Sequence, residues 1–166
     1  ARHRIDEEAH APEVELAADD GRKTDPLRGG WASKEVARWL LGEAGFSEID
    51  DQATVVPGVA PTLRAVAPTG KIWWFEVVGG RTSNRPGAQR VELLWRAISK
   101  AAIVHEIDPA AGFVVLSVDQ PAAASGGRAL AAVTGPGKPV HAVVDMLSEH
   151  AVSTLAQMGN MSPSAR

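Results

Sequence analysis

The feature that most constrains the fold is an apolar run, residues 72–78, that has a single acid inside it. The run is Ile-Trp-Trp-Phe-Glu-Val-Val, which is rich in the aromatic and β-branched residues favoured in strands. The turn-forming residues 68–70 precede it, and Gly79-Gly80 follow it. Such a run predicts a strand buried on both faces, where a charged carboxylate is costly unless it is paired or binds a metal. The alternative, Glu76 on the solvent side of a one-sided sheet, stays open.

A long amphipathic helix is predicted after this strand. Ser83 and Asn84 are suited to cap a helix and Pro86 to its first turn, so the helix should begin near residue 85. Apolar residues recur at intervals of three and four and predict one buried face, formed by Ala88, Val91, Leu94, Trp95, Ile98 and Ala102. The opposite face is polar and consists of Arg85, Gln89, Glu92, Arg96 and Lys100.

This region also concentrates positive charge. Between residues 81 and 100 a single acid, Glu92, stands against Arg81, Arg85, Arg90, Arg96 and Lys100. One interpretation is an ordinary solvated helix face. The other is a surface that follows a phosphate backbone, with Arg81, Arg85, Arg96 and Lys100 as the nucleic-acid-binding residues. The overall net charge of −3 argues against strong indiscriminate binding of nucleic acid.

A hairpin with an acid in its second strand, then a basic helix, then the apolar strand at residues 112–118, resembles the core of the PD-(D/E)XK nuclease superfamily. The resemblance covers about residues 33–120 and is closest to restriction-endonuclease-like and Mrr-type or repair-type members. Those proteins have an acid on the strand before the turn, a Glu-x-Lys on the next strand and often a Gln on the helix. Glu76 matches the motif Glu and Gln89 the helix Gln, but Val78 stands at the Lys position and residues 63–65 contain no acid.

The resemblance implies a Mg²⁺ site formed by Glu76 and the carbonyl of Val77. Asp50 or Asp51 is then expected to replace the first acid, and Lys100 or Arg81 the missing Lys. The catalytic set would be Glu76, Gln89 and Lys100, with Mg²⁺ activating water for attack on a phosphodiester. Glu35 and Glu43 on the preceding helix are either additional acids of this site or ordinary surface residues.

Two functions follow from this resemblance. Because the Lys and the first acid are both missing, the favoured hypothesis is a catalytically degenerate nuclease-like domain without a cofactor. It would act as a DNA-binding or assembly module of a bacterial restriction, repair or defence protein, binding DNA weakly or contacting a protein partner or further domains of a longer chain. The alternative is an active Mg²⁺-dependent DNA endonuclease.

The predicted fold is α/β, with the restriction-endonuclease-like order α-β-β-β-α-β, a mixed sheet flanked by helices and a C-terminal helical extension. The first helix is expected after Trp31, with Ser33 as its cap, Trp39 on its apolar face and Gly45 at its end. The first strand is predicted around residues 53–56, after a turn that contains Glu48, Asp50 and Asp51. A flexible connection is expected up to Gly127, and helical spacing from Val140 to Leu155 predicts one or two helices.

Composition limits the possible domain division, the possible metal and disulfide sites, and the possible location of the protein. We expect a polar arm or linker at residues 1–30, one domain at 31–158 and a disordered tail at 159–166. The absence of cysteine excludes disulfides, thiolate catalysis and Cys-based zinc sites. The His residues are scattered, which argues against a histidine metal site. No apolar run reaches about eighteen residues and no leader is evident, so a cytoplasmic protein without a membrane role is predicted.

Overall fold

The computed structural model describes residues 30–78, 88–118 and 126–161, which form an α/β fold with a five-stranded mixed sheet between helices. The arm predicted at the N-terminus lies outside the described residues, apart from Gly30. In chain order the elements are α1 (Gly30–Glu43), β1 (Ser47–Asp50), β2 (Leu63–Val66), β3 (Ile72–Val78), α2 (Ala88–Ile107), β4 (Gly112–Ser117), α3 (Gly127–Ala132), β5 (Ala142–Asp145) and α4 (Ala151–Asn160). The predicted order α-β-β-β-α-β is confirmed as far as β4.

The strands lie side by side in the order β1-β2-β3-β4-β5. The pairs β1–β2 and β2–β3 are antiparallel, whereas β3–β4 and β4–β5 are parallel. The β2–β3 turn forms where residues 68–70 predicted it: the Ala67 amide donates to the Lys71 carbonyl at 2.9 Å, and Gly70 has a φ of 81°. The mixed sheet is therefore confirmed, with a hairpin on one side and helical crossovers on the other.

Alternation along β3 separates the core into two layers. Trp73 and Phe75 pack on the side of α1 and α4, with Leu41 and Leu155 among their neighbours. The alternate residues of β3 face α2 and α3. There Trp74 belongs to a cluster with residues that include Leu94, Ala97, Ala101, Phe113 and Leu130. Because β3 is central and covered on both faces, Glu76 must point toward α2 rather than toward open solvent.

The first strand was predicted in the wrong place. It is β1, which contains two of the acids that had been assigned to a turn, Glu48 and Asp50. An edge strand pairs on one side only and can expose acids to water, so the polar sequence is compatible with a strand here. The apolar residues 53–56 form only an isolated bridge between Val56 and Val59, while Ala53 and Val55 pack against the edge of the α2-side core.

The C-terminal region also differs from prediction. Val143 and Val144 lie in β5 and not in a helix, and a short helix, α3, begins at Gly127. Two adjacent β-branched residues fit a buried strand as well as a helix, and parallel pairing with β4 selects the strand. Helix α4 continues to Asn160, beyond the predicted start of the tail, and residues 162–166 lie outside the described residues.

Some helix-face predictions were wrong as well. Ser33 is not the cap of α1 but a fully buried residue inside it, whereas Gly45 follows the helix with a φ of 88°, as expected for its end. Trp39 and Trp95 were predicted to be buried, yet they are 60% and 53% exposed. On α2 the small residues Ala97 and Ala101 contact the sheet. Because α2 packs on the sheet through these alanines, the larger Trp95 lies on the exposed side of the helix.

Candidate functional site

Glu76 is a buried acid in the central strand of the sheet. The residue is 6% exposed and lies between β2 and β4 on the face covered by α2. The alternative of a solvent-facing Glu is therefore excluded by its position. A charged group at such a place needs hydrogen-bonding partners to offset the loss of water.

Thr62, immediately before β2, supplies two of these partners. Its backbone amide donates to Glu76 Oε2 at 2.9 Å, and its hydroxyl donates to the same oxygen at 3.2 Å. The hydroxyl oxygen also accepts from the Val77 amide at 3.0 Å. Since Leu63 is paired with Phe75 in the hairpin, Thr62 lies opposite Glu76 where the antiparallel pair continues. Thr62 was not predicted as a site residue, because only the register of the hairpin places it opposite Glu76.

Lys100 supplies the third partner from the other side. Its Nζ atom donates to Glu76 Oε1 at 2.7 Å, from a side chain that is 20% exposed. The helical pattern predicts Lys100 on the polar face of α2, and the resemblance implies it as a replacement for the motif Lys. The structure turns it inward, against Glu76. We call Thr62, Glu76 and Lys100 the Glu76 network.

The Glu76 network is a poor match for a Mg²⁺ site. Magnesium requires near-octahedral oxygen ligands at about 2.0–2.1 Å and usually takes one or two carboxylates. Here both carboxylate oxygens accept hydrogen bonds, one of them from an ammonium group that would repel a cation. The residues present around Glu76 therefore do not fit the ion.

The acids expected to complete a metal site lie elsewhere. Asp50 is paired with Arg64 in the β1–β2 ladder, so it is two strand spacings, roughly 10 Å, from β3. Asp51 accepts from Lys34 at 2.6 Å and lies 3.3 Å from Arg38, both on α1. The hydrogen bond from Lys34, followed by one from Gln52, lowers the pKa of Asp51 to about 2. Across residues 30–78, 88–118 and 126–161, no group of three or more His, Asp or Glu side chains is placed to hold a metal ion.

The other predicted site residues divide into two groups. Glu35 and Glu43 are exposed on α1, as expected of surface residues. Arg81 and Arg85 lie outside the described residues, and Gln89 lies in the first turn of α2, where the backbone alone is described.

Of the four residues predicted to bind nucleic acid, the structure describes the side chains of Arg96 and Lys100. Arg96 is exposed and lies 3.5 Å from Glu92, one turn earlier on α2. An exposed pair of this kind contributes little to stability and leaves the guanidinium able to meet a partner. Lys100, by contrast, is engaged with Glu76. Arg96 is adjacent to Trp95, which is also exposed on α2.

Comparisons with known proteins add no relative. The sequence matches no protein-family model, no curated protein and no solved structure. Among the described helices, none combines the length and apolar character needed to cross a membrane.

Proposed function

We propose that this chain is a restriction-endonuclease-like domain that has lost catalysis and acts as a DNA-binding or assembly module of a bacterial restriction, repair or defence protein. The observation that carries the proposal is the Glu76 network. A Glu at the motif position, in the expected strand of an α-β-β-β-α-β arrangement, accepts hydrogen bonds on both of its carboxylate oxygens.

The lost first acid supports this interpretation. In the nuclease family this acid lies on the strand before the turn, and the residue that faces Glu76 from that side is Thr62. Its hydroxyl and amide donate hydrogen bonds, whereas the acid of an active enzyme would offer oxygen ligands to a metal. A substitution of this kind converts a cation site into an internal hydrogen-bonded cluster.

The position of Lys100 favours the second candidate, an active endonuclease with a relocated lysine. A cation 2.7 Å from Glu76 stands where a motif Lys could neutralise charge on a scissile phosphate. In that case Mg²⁺ would have to displace Lys100 or Thr62 from the carboxylate. We prefer the degenerate domain because both oxygens of Glu76 already accept hydrogen bonds. In the described residues, moreover, no group of three or more His, Asp or Glu side chains could hold a metal ion.

The exposed face of α2 supports a role in binding a partner, which does not require catalysis. Trp95 is 53% exposed and stands next to exposed Arg96. Trp and Arg are the residue types most enriched among the energetically important residues of protein interfaces. They also suit single-stranded nucleic acid, whose bases stack on aromatic rings and whose phosphates attract arginine.

Catalysis is tested by titrating the protein with Mn²⁺ and Mg²⁺ in a calorimeter and by incubating it with supercoiled and linear DNA. We expect no specific metal site and no cleavage. Metal binding that is abolished by Glu76→Gln, together with cleavage that depends on Glu76 and Lys100, would establish the active endonuclease instead.

Nucleic-acid binding is tested by fluorescence anisotropy of labelled duplex and single-stranded DNA over a salt series. We expect dissociation constants in the micromolar range or weaker, and a salt slope lower by about 0.9 on duplex DNA for Arg96→Ala. Arg128→Ala, which removes the same charge from an exposed position on α3, is the matched control. If wild type does not bind at low salt, or both variants behave alike, the assembly role is favoured over DNA binding.

A further inference from the structure

A cleft of about 490 Å³ lies at the end of the sheet where β3 and β4 begin. It is lined by Lys71 just before β3, by His105 in the last turn of α2, and by Lys138 and His141 on the segment that leads into β5. Its size is that of a small-molecule site. Neither Glu76 nor any other member of the Glu76 network lines it.

The polar side chains of this cleft are predominantly basic. Two lysines and two histidines contribute to its lining, and none of its described lining residues is acidic. The remaining wall is apolar, formed in part by Pro109, Pro136 and Pro139. Two lysines and two imidazole rings around an uncharged wall suit a ligand with an anionic head and a less polar body.

Two of the basic side chains, Lys71 and His141, pack against the indole ring of Trp73. Lys71 Nζ lies 4.7 Å from the centroid of the Trp73 ring, and the His141 ring meets the same indole edge-on at 5.0 Å. The His141 amide donates to the Phe113 carbonyl at 2.7 Å, which fixes its backbone on β4. Trp73 is itself 1% exposed, so it supports these groups instead of offering a stacking surface to a ligand.

The loop that carries Lys138 is similarly ordered. The Gly135 amide donates to the Val140 carbonyl at 2.9 Å, and the Lys138 amide donates to the Gly135 carbonyl at 3.1 Å. Gly135 and Gly137 have φ values of 137° and 71°, which glycine adopts without strain. A loop whose backbone is already hydrogen-bonded needs less ordering when a ligand binds to the lysine at its tip.

Burial already penalises the charges in this cleft. Desolvation, and then the positive charge of Lys71, lowers the pKa of His141. Desolvation also lowers the pKa of Lys71, an effect that Asp108 partly opposes. An anion in the cleft would oppose both shifts, since its negative charge favours the protonated forms.

We propose that this cleft binds a phosphate monoester, with the phosphate near Lys71, Lys138 and the two histidines and the organic body against the prolines. A phosphate has three terminal oxygens and up to two charges, so it can use several of these donors at once, whereas a carboxylate offers two oxygens. The source is either a free mononucleotide-sized metabolite or the terminal phosphate of a nucleic-acid strand.

The test is calorimetric and NMR titration with inorganic phosphate, adenosine 5′-monophosphate, adenosine and short oligonucleotides with and without a 5′-phosphate. We expect the monophosphate to bind more tightly than adenosine and to shift the imidazole resonances of His105 and His141. These resonances are assigned with His105→Gln and His141→Gln. Preference for the 5′-phosphorylated oligonucleotide over the mononucleotide assigns the ligand to a strand end, and the reverse preference assigns it to a free metabolite.

The variant Lys138→Ala should weaken monophosphate binding by about tenfold, the loss of one charge-assisted hydrogen bond. Arg128→Ala, with the same charge change outside the cleft, should leave binding unchanged. Equal binding of adenosine and its monophosphate, or equal affinity of the two variants, would overturn the proposal. The outcome is independent of Glu76, so it stands or fails separately from the proposed loss of catalysis.

Discussion

The Nζ atom of Lys100 lies 2.7 Å from Oε1 of Glu76, joining the middle of α2 to the central strand across 24 positions of the chain. This contact makes an acid inside an apolar strand compatible with folding. The Thr62 amide and hydroxyl serve the other carboxylate oxygen. The three groups form a closed cluster on the α2 side of the sheet, and its energetics and chemistry can be tested separately.

Removal of the carboxylate charge should destabilise the protein. In Glu76→Gln, Lys100 loses its ionic partner in a largely buried position, and the amide nitrogen is brought close to a donor. We expect the free energy of unfolding to fall by about 1–3 kcal/mol, as for other broken buried hydrogen bonds to charged groups. Urea denaturation at neutral pH measures this quantity.

The matched control is Glu92→Gln, which removes an exposed partner of Arg96 on the same helix. It should change stability by less than about 0.5 kcal/mol. A cycle with Lys100→Met isolates the coupling between Glu76 and Lys100. A coupling energy near zero would show that the pair contributes nothing specific.

A second carboxylate opposite Glu76 should create a metal site. Thr62→Asp places two acids side by side on the hairpin, which is destabilising without a cation because like charges repel. We expect this variant to be less stable than wild type in a chelator and to gain thermal stability with Mn²⁺. Thr62→Asn, similar in size but neutral, should show no such gain. If Mn²⁺ has no effect on Thr62→Asp, the geometry of the pair is unlike that of a metal centre.

The sequence predicted those elements whose signals are local. The β-forming run 72–78, its preceding turn and the amphipathic pattern of α2 each specify structure within a short window. The edge strand β1 could not be predicted in this way, because its acids are tolerated only at the margin of a sheet. The segment that becomes β5 has adjacent valines, which are compatible with both a helix and a strand. Its pairing with β4 decides in favour of the strand.

The candidate site, too, could be predicted only where its signal is local in the sequence. Glu76 could be singled out because a lone acid in an apolar strand is unusual in itself. Its partners come from distant parts of the chain, and one of them, Thr62, has no property that marks it before the hairpin register is known. The exposure of Trp95 likewise depends on which residues of α2 contact the sheet. The helical period alone predicted that Trp95 is buried.

The close contact between β4 and Trp73 should make Gly112 intolerant of any side chain. A Cβ atom at this position would lie 2.2 Å from Cε3 of the Trp73 indole, and Trp73 is fully packed. We expect Gly112→Ala to lower the free energy of unfolding by about 1–3 kcal/mol through overpacking. Gly42→Ala is the contrasting control, since an added Cβ meets no atom within 4 Å there. It should stabilise helix α1 by about 0.5–1 kcal/mol. Equal effects of the two substitutions would contradict the packing around Trp73.

The salt bridges of Asp51 should be lost in acid, when its carboxylate becomes protonated. Hydrogen bonds from Lys34 and Gln52 lower the pKa of Asp51 to about 2 from an ordinary value of 3.8. Because the folded pKa is depressed, the stabilising contribution is present above pH 3.8 and is lost as the pH falls toward 2. NMR titration of the Asp51 carboxyl carbon measures this pKa directly. In Lys34→Ala it should move up toward the ordinary value, whereas Glu35→Ala, at a neighbouring exposed position, should leave it low.

His141 should make the protein less stable in mild acid. Burial, with a further contribution from Lys71, lowers the pKa of its imidazole from the ordinary 6.5, and His105 and Lys138 line the same cleft. Between the folded pKa and 6.5 the unfolded chain therefore binds more protons than the folded one. The free energy of unfolding is expected to be unaffected by His141 above pH 6.5, to fall as the pH drops below that value and to level out below the folded pKa.

Urea denaturation of wild type and His141→Gln at intervals from neutral to mildly acidic pH measures this effect. Every other titrating group is shared, so the difference between the two proteins isolates His141. We expect the free energy of unfolding of wild type to fall relative to that of His141→Gln as the pH drops, because the neutral glutamine carries no cost of protonation. Curves that stay parallel across this range would mean that His141 titrates alike in the folded and unfolded states, and that Trp73 and Lys71 do not hold it in a desolvated position.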